Sequence, residues 1–505
     1  MVGSIRNVRW AVPLLATLVL AACSEGDAPV QAADGARRWG EIAFKPCSLV
    51  SAFASSSVEA QCATYRVPEN PAAPKGRHID LNIAWLPATD EGQAAPDPMV
   101  FLAGGPGQAA TESWPLVDPA FTAVRKHRSV LLIDQRGTGK SHPLVCRDEA
   151  GGSAVVERDD ATLEGAVAFA RECAEGLDAD PRYYTTTDAV RDLESVRAAV
   201  GADTLNVVGV SYGTRVAQRY AATHPTRVRT LVLDSVVPNT LVLGTEHARN
   251  LDVALGQQFS RCKASASCNK RFGSDIDAQL RGLMAKLKDA PVQVDYADPM
   301  TGESRRETAT SDTVAGLTRM FSYGPQAAAL LPMVLSEAQA GRYGPLMALS
   351  QLISAQMSES IMHGMQLSVI CSEDADLFAA DPKDGDTVLG TGLSDVLLAQ
   401  CKAWPKGMRP KDFHTPLTSK VPTLLMSGEF DPVTPARYGD DVATTLPNSR
   451  HLVLRGQGHN VVGVGCMPKL LAKFMETADA KALDAACLKT VDYVPPFTGF
   501  NGWEP

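Results

Sequence analysis

Between residues 77 and 86, "RHIDLNIAWL" alternates apolar and polar positions from Ile79 to Ile83, the period of a strand. "PMVFLAGGPGQ" (98–108) is an apolar run broken by a Gly-Pro-Gly turn. "SVLLIDQRGTGKS" (129–141) is a second buried run, ending in a polar, glycine-rich loop. The period then changes. In "TTDAVRDLESVRAAVG" (186–201), Val190, Leu193, Val196 and Val200 share one helical face, Thr187 or Asp188 can cap the start, and Gly201 stops it. "TLNVVGV" follows as a strand, "YGTRVAQRYAATHP" as a helix and "VRTLVLDSVVP" as a strand. Continuous Val/Leu strands alternating with helices predict an α/β fold, its mostly parallel sheet covered on both faces.

From about residue 240 to 414 the apolar spacing is helical or irregular, and the alternation stops. Two further core-like strands follow, "VPTLLMSG" (421–428) and "SRHLVLRG" (449–456). The pattern predicts a core in two parts, 41–239 and 415–505, interrupted by an insertion at 240–414. Sites in open α/β sheets lie beyond the carboxyl ends of the strands, so the insertion is expected to form a large, mainly helical cap over the site.

The chain has 505 residues, 45% hydrophobic and 21% charged, ordinary for a globular protein and without a solenoid period. Its first residues belong to no core. Arg6 and Arg9 precede the short apolar run "WAVPLLATLVLAA", which reads as an export signal over 1–22. Leu20-Ala21-Ala22-Cys23 resembles a bacterial lipobox, which implies a lipid on Cys23 and a membrane anchor; a plain secretory cut near Ala22 is the alternative. Residues 23–40 then form a polar tether. The net charge of −9 becomes about −11 without residues 1–22, and an acidic chain without basic clusters argues against nucleic acid. The remaining ten cysteines fall into close neighbours: Cys47 and Cys62, Cys146 and Cys173, Cys262 and Cys268, Cys371 and Cys401, Cys466 and Cys487. Proximity suggests five short-range disulfides and an oxidising compartment, although spacing alone does not fix connectivity. No Cys-x-x-Cys pair or matching histidine spacing supports zinc, and no metal site is expected.

Gly209-x-Ser211-x-Gly213 follows a strand and opens a helix. A serine on so sharp a turn is exposed at the helix N-terminus, with the N–H of Tyr212 aimed where a tetrahedral oxyanion would form. Taken alone, the motif also fits a tight turn with a capping serine. A serine hydroxyl needs a base. His459, in "LRGQGHNVVG", lies just past the last strand, whereas His224 is at a helix end and His363 is in the insertion. Asp431, in "LLMSGEFDPVTP", lies just past the penultimate strand and can orient the imidazole. The order Ser211, Asp431, His459 is that of an α/β-hydrolase triad. A second oxyanion donor is expected from "FLAGGPGQ", with Gly105 the first candidate and Gly104 the next.

Together, "GGPG", "DQRGTGKS", "GVSYGT", "SGEFDPVTP" and "GQGHN" resemble the secreted prolyl/tripeptidyl aminopeptidase branch of the α/β-hydrolase superfamily, with a tripeptidyl aminopeptidase-like C-terminal region, over roughly residues 45 to 490. The resemblance implies a serine exopeptidase acting on peptides with a free N-terminus, with no metal or organic cofactor. Prolyl iminopeptidases usually carry histidine where this chain has Ala103, and tryptophan where it has Tyr212. Both departures favour the tripeptidyl or broader exopeptidase side. Asp134 and Arg136 match the family's "DQRG" loop and are expected to pair and shape the site floor. An exopeptidase must also bind an ammonium group. Glu373 and Asp374, in "VICSEDADLF", are the candidate carboxylates, with a solvated acidic loop as the alternative. A carboxylesterase or lipase would use the same triad; a non-catalytic surface binding module would not need one. The expected location is the bacterial membrane, facing the periplasm or exterior, or the soluble periplasmic or secreted space. The oligomeric state is left open.

Overall fold

The computed structural model describes residues 35–51, 54–146, 162–499 and 502. The expected signal segment, the candidate lipidation residue Cys23 and most of the expected tether lie outside them. Strands β1 (Arg37–Trp39), β2 (Ile42–Ser51), β3 (Ala54–Pro68), β4 (His78–Leu86), β5 (Met99–Leu102), β6 (Val130–Ile133), β7 (Leu205–Val210), β8 (Val228–Asp234), β11 (Thr423–Gly428) and β12 (Ser449–Leu454) form one ten-stranded sheet. Strands β9 (Val292–Ala297) and β10 (Ser304–Ala309) form a separate hairpin. The large sheet runs β1-β2-β3-β4-β6-β5-β7-β8-β11-β12. Pairing is antiparallel from β1 through β4 to β6, and parallel from there to β12.

The burial of each strand follows its sequence pattern. Every residue of β6, β7 and β11 is buried, as expected of parallel strands covered on both sides, whereas β4 alternates over its first half. Val207 and Leu231 belong to one hydrophobic cluster with Val190, Leu193 and Val196 of helix Thr186–Ala199. Val208 and Val232 belong to the other, with Trp114 of helix Ala110–Phe121 and Phe474 of helix Met467–Thr477. Adjacent residues on opposite faces are the two-residue period of a strand, and they make this a sheet between two helical layers. Helix Thr186–Ala199 is capped two residues before Thr187, the earlier of the two expected caps: the Thr185 hydroxyl accepts the Asp188 N–H.

The insertion has its own hydrophobic cluster, built by residues such as Leu255, Leu280, Leu317 and Leu346. The β9–β10 hairpin packs into this helical body through Val294, Tyr296 and Ala309. Its alternation, one buried residue in two, was hidden in a stretch whose overall spacing looked irregular. Helix His363–Glu373 packs elsewhere. Its Met365, Val369 and Ile370 join the cluster under β7 and β8, and the Met362 N–H donates to the Gly107 carbonyl at 2.9 Å. Near the C-terminus, the Tyr493 ring stacks on Phe430 and is flanked by the Arg261 and Arg455 guanidinium groups, 3.8 and 4.5 Å from its centroid. The Phe497 N–H donates to the Ala329 carbonyl at 2.9 Å, so this tail touches both the helical body and the sheet's last loops.

Among the described residues there are five disulfides: Cys47–Cys62, Cys146–Cys173, Cys262–Cys268, Cys371–Cys401 and Cys466–Cys487. Among the described residues, no helix is long and apolar enough to cross a membrane.

Candidate active site

Strands β7, β8, β11 and β12 are neighbours in that order, and the candidate residues Ser211, Asp431 and His459 follow the carboxyl ends of β7, β11 and β12. Ser211 directly follows β7, with φ 54° and ψ −125°, and helix Tyr212–Thr223 starts at the next residue. A left-handed conformation at a non-glycine residue is strained, and it lifts the serine out of the line of strand and helix. Its N–H is held by the Asp234 carbonyl at 2.9 Å, leaving the half-buried side chain at the turn's apex.

Asp431 and His459 come together from loops after β11 and β12. His459 Nδ1 lies 2.8 Å from Asp431 Oδ2, with the two side chains 5% and 0% exposed. The other Asp431 oxygen accepts the N–H groups of Val433 and Thr434 at 2.9 and 2.8 Å. Burial alone would raise the Asp431 carboxyl, but the neighbouring His459 and these N–H donors outweigh it and hold the pKa below its ordinary value. Burial disfavours the His459 imidazolium, yet the Asp431 charge and hydrogen bond, with a contribution from Asp234, raise its pKa overall. Among the described residues, no hydrogen bond joins Ser211 Oγ to His459. Such bonds are often long in free enzymes and tighten when substrate is bound.

Sequence reading missed three groups around the histidine. The Thr434 hydroxyl donates to Asp431 Oδ2 at 2.8 Å and lies 3.2 Å from His459 Nδ1. Its position three residues after an Asp-Pro turn was the available signal. Tyr323, in the cap, accepts the His459 N–H on its carbonyl at 2.8 Å and sets its ring edge-on to the imidazole at 5.2 Å. No local pattern marks it. Asp234 ends β8 and binds the chain just after His459.

Gly104 and Gly105 lie in the loop after β5. A Cβ added to Gly104 would meet Ser211 Cβ at 3.0 Å, whereas one on Gly105 would meet only its own loop at Gly107 and Gln108. Gly104 is therefore the glycine packed against the serine. The Tyr212 side chain points inward. Its hydroxyl lies 2.6 Å from Thr186 Oγ1 and accepts from Gln135 Nε2 at 3.2 Å.

The structure corrects the ammonium-binding expectation for Asp374. It is fully buried and paired with the equally buried Arg215 at 2.8 Å, so its charge is already neutralised inside the protein. Glu373 is no solvated loop residue either. It is 1% exposed and ends a helix beneath the nucleophile turn, where it accepts the Thr186 N–H at 2.6 Å and the Thr186 hydroxyl at 2.8 Å. These bonds link Gln135, Tyr212, Thr186 and Glu373 in one buried chain. Burial, then the Asp374 charge, pushes the Glu373 carboxyl up to about 8, against the opposing pull of Arg215 and the Thr186 donors. An acid raised on folding favours the folded state while it is protonated, and that contribution is lost as pH climbs from the unfolded value through about 8. Glu373→Gln mimics the protonated form. Between pH 5 and pH 9 the wild-type chain is expected to lose roughly 3–5 kcal/mol that the variant keeps, read as a flatter Tm profile. Parallel profiles would refute this.

Asp134 and Arg136 also have separate fates. Asp134 is fully buried and accepts from Thr111 and Asn82. Arg136 pairs instead with Asp192, at 2.6 and 2.7 Å. Their side chains do not pair with each other: both lie past the end of β6, where Asp134 is held by Asn82 and Thr111 and Arg136 by Asp192 and the Glu69 and Tyr183 carbonyls. Among the described residues, no group of three or more His, Cys, Asp or Glu side chains is arranged to hold a metal ion.

A serine on a strained strand–helix turn, a buried aspartate–histidine pair on the next loops and a mostly parallel sheet define a class of fold and site. Residues 97–301 match the family described as alpha/beta hydrolase fold and residues 386–487 match TAP-like protein, and the fold is that of the α/β hydrolases. It is 25% identical over 523 residues to serine protease Hip1 of Mycobacterium tuberculosis, covering 95% of this chain and 97% of that protein. It is 25% identical over 459 residues to tripeptidyl aminopeptidase of Streptomyces coelicolor, covering 85% and 83%. A shorter stretch of 140 residues is 31% identical to proline iminopeptidase of Neisseria gonorrhoeae, covering 28% and 32%. The protein is a serine hydrolase of the α/β-hydrolase fold.

Proposed function

We propose that this chain is an exported serine peptidase that releases short N-terminal units from peptides, through an acyl-enzyme on Ser211. The observation that carries the catalytic reading is the buried 2.8 Å Asp431–His459 contact, on loops of the same sheet edge as the strained Ser211 turn. Ser211 Oγ attacks the scissile carbonyl carbon as His459 Nε2 takes its proton. Asp431 fixes the tautomer with the proton on Nδ1 and stabilises the imidazolium. The carbonyl oxygen, now negative, is held by the Tyr212 N–H and by an N–H of the Gly104–Gly105 turn, with Gly104 favoured by its closeness to Ser211. His459 returns the proton to the leaving amine. Water then attacks the ester by the same route, and Ser211 is restored.

Peptide substrates are supported by the two relatives matched over most of their length, one named a serine protease and the other a tripeptidyl aminopeptidase. Export is supported by five disulfides, which persist in oxidising compartments. Anchoring through a lipid on Cys23 belongs to the same proposal. A panel of aminoacyl, dipeptidyl and tripeptidyl fluorogenic amides, each with free and blocked N-termini, beside a short-chain ester, tests the specificity. Turnover is expected to be highest on free-amine peptides. Preference for blocked peptides would overturn the exopeptidase assignment, and preference for the ester would favour a carboxylesterase.

A further inference from the structure

We propose that Asp234 and Ser235, the pair where β8 ends, are positioning residues for His459, tying the histidine loop to the nucleophile turn and holding a second carboxylate against the chain two and three residues past the imidazole. The inference rests on the catalytic reading above and extends it to a pair outside the triad.

Strand β8 lies between β7, which carries Ser211, and β11, which carries Asp431. The Asp234 main chain serves the nucleophile, its carbonyl accepting the Ser211 N–H at 2.9 Å. Its side chain serves the base. The carboxylate accepts the Val461 N–H on both oxygens at 3.0 Å and the Val462 N–H at 2.9 Å, two and three residues past His459. Ser235 completes the set: its hydroxyl accepts the Asn460 N–H at 2.8 Å, and its own N–H donates to the Met426 carbonyl at 2.9 Å. Three successive N–H groups after His459 are thus held by two residues of another strand.

The backbone shows the same concentration. Ser235 and Asn460 are both non-glycine residues in the left-handed region, at φ 58° and 68°, and they meet through that hydrogen bond. Strained residues persist where the surroundings over-determine them, and they gather at functional sites. Asp234 is 0% exposed, and among the described residues no cation forms an ion pair with it. A buried unpaired carboxylate is costly, and bonding N–H groups alone does not require a charge. Its neighbour His459 does: the imidazolium that forms during the reaction is stabilised by negative charge. The ionisable groups near His459 are Asp431 from the β11 loop, Asp234 from β8, and His247 from the start of helix His247–Ala264, which also feels Arg319 of the cap. Burial, with Arg319 and His459, lowers His247 to about 4, so it is neutral near pH 7 and leaves the two carboxylates to act on the base. Burial raises Asp234 to about 6, against the pull of the Val461 and Val462 N–H groups and of His459, so the ionised form still predominates at pH 7.

The test uses the full chain carrying Asp234→Asn or Ser235→Ala. Fluorophosphonate labelling of wild type, lost in Ser211→Ala, first checks the catalytic reading by itself; if wild type is not labelled, that reading fails before this one is reached. In Asp234→Asn, the kcat/KM plateau is expected to fall about 10–100-fold, mainly through kcat. Removing the negative charge makes the imidazolium less stable, so the acidic limb should also move to lower pH, by about one unit. Ser235→Ala removes one anchor and keeps the charge, so kcat should fall with the limb unmoved. An unmoved limb in a folded Asp234→Asn protein would overturn the proposal, because a purely structural role predicts lost protein without a shifted profile. If Asp234→Asn does not fold, Ser235→Ala decides: lower kcat at unchanged KM and Tm supports positioning, and wild-type kcat overturns it.

Discussion

Ser211→Ala is expected to remove all labelling by a fluorophosphonate probe and to lower kcat by on the order of 10⁶-fold. The magnitude follows from the division of labour. Without the hydroxyl, His459 has no proton to take and no ester forms, so only the oxyanion donors and substrate binding remain, and these leave a residual rate enhancement of about 10³–10⁴ over water. The fold should hardly change. The strained φ of 54° is imposed by the strand–helix junction and by the Ser211 N–H bond to Asp234, neither of which uses the hydroxyl. Alanine at a left-handed position keeps the strain and gains none, so Tm should stay near wild type. Equal labelling of variant and wild type would place the nucleophile elsewhere. A folded wild type that resists the probe and turns over no amide or ester would end the enzymatic reading of Ser211.

Gly428→Ala is expected to lower kcat/KM by about 10²-fold or more without touching any reacting group. Gly428 is the last residue of β11, three before Asp431, and a methyl there would overlap the carbonyl oxygens of Gln457 and Gly458. Those carbonyls lead directly into His459. The two loops are also stitched together. The Phe430 N–H donates to the Gln457 carbonyl at 2.8 Å, and the Gly456 N–H donates to Glu429 Oε2 at 2.7 Å. Relief of the overlap must therefore move the histidine loop away from Asp431, lengthening the contact that is now 2.8 Å. Gly463→Ala is the matched control. It lies four residues past His459 on the same loop, is exposed and has nothing within 4 Å of an added Cβ, so it should behave as wild type. Equal kinetics for the two variants would show that this close approach does not set the geometry.

Local pattern goes far with this chain where structure is itself local. The runs around 99–102, 130–133, 205–210, 228–234, 423–428 and 449–454 are strands because unbroken Val/Leu stretches have few other ways to be buried. Ser211, Asp431 and His459 could be picked out because each sits one loop beyond such a run. What the sequence hides is tertiary. Glu373 lies in an acidic stretch that looks solvated, yet its partner Thr186 is 187 residues away, and only folding brings them together. Asp374 reads as a free carboxylate until Arg215, 159 residues earlier, is seen beside it. The β9–β10 hairpin escaped because an irregular stretch carries no clear period of its own. Asp234 reads as the last polar residue of a strand. Nothing near it announces that its oxygens face N–H groups more than 200 residues later.

The disulfides carry a consequence for how the chain could mature. Each joins a cysteine to the next described one along the chain, with separations of 15, 27, 6, 30 and 21 residues. No bridge spans another, and none crosses from the helical body of the cap to the sheet. A chain threaded into an oxidising compartment from its N-terminus would present each thiol to its correct partner before any later one emerged. Pairing strictly in order of arrival already yields the native set, so maturation would call for an oxidant but little reshuffling. A variant lacking one cysteine would then leave a single unmatched thiol, free to take the next cysteine to emerge and so pass the mismatch down the chain. The damage should grow the nearer that loss lies to the N-terminus.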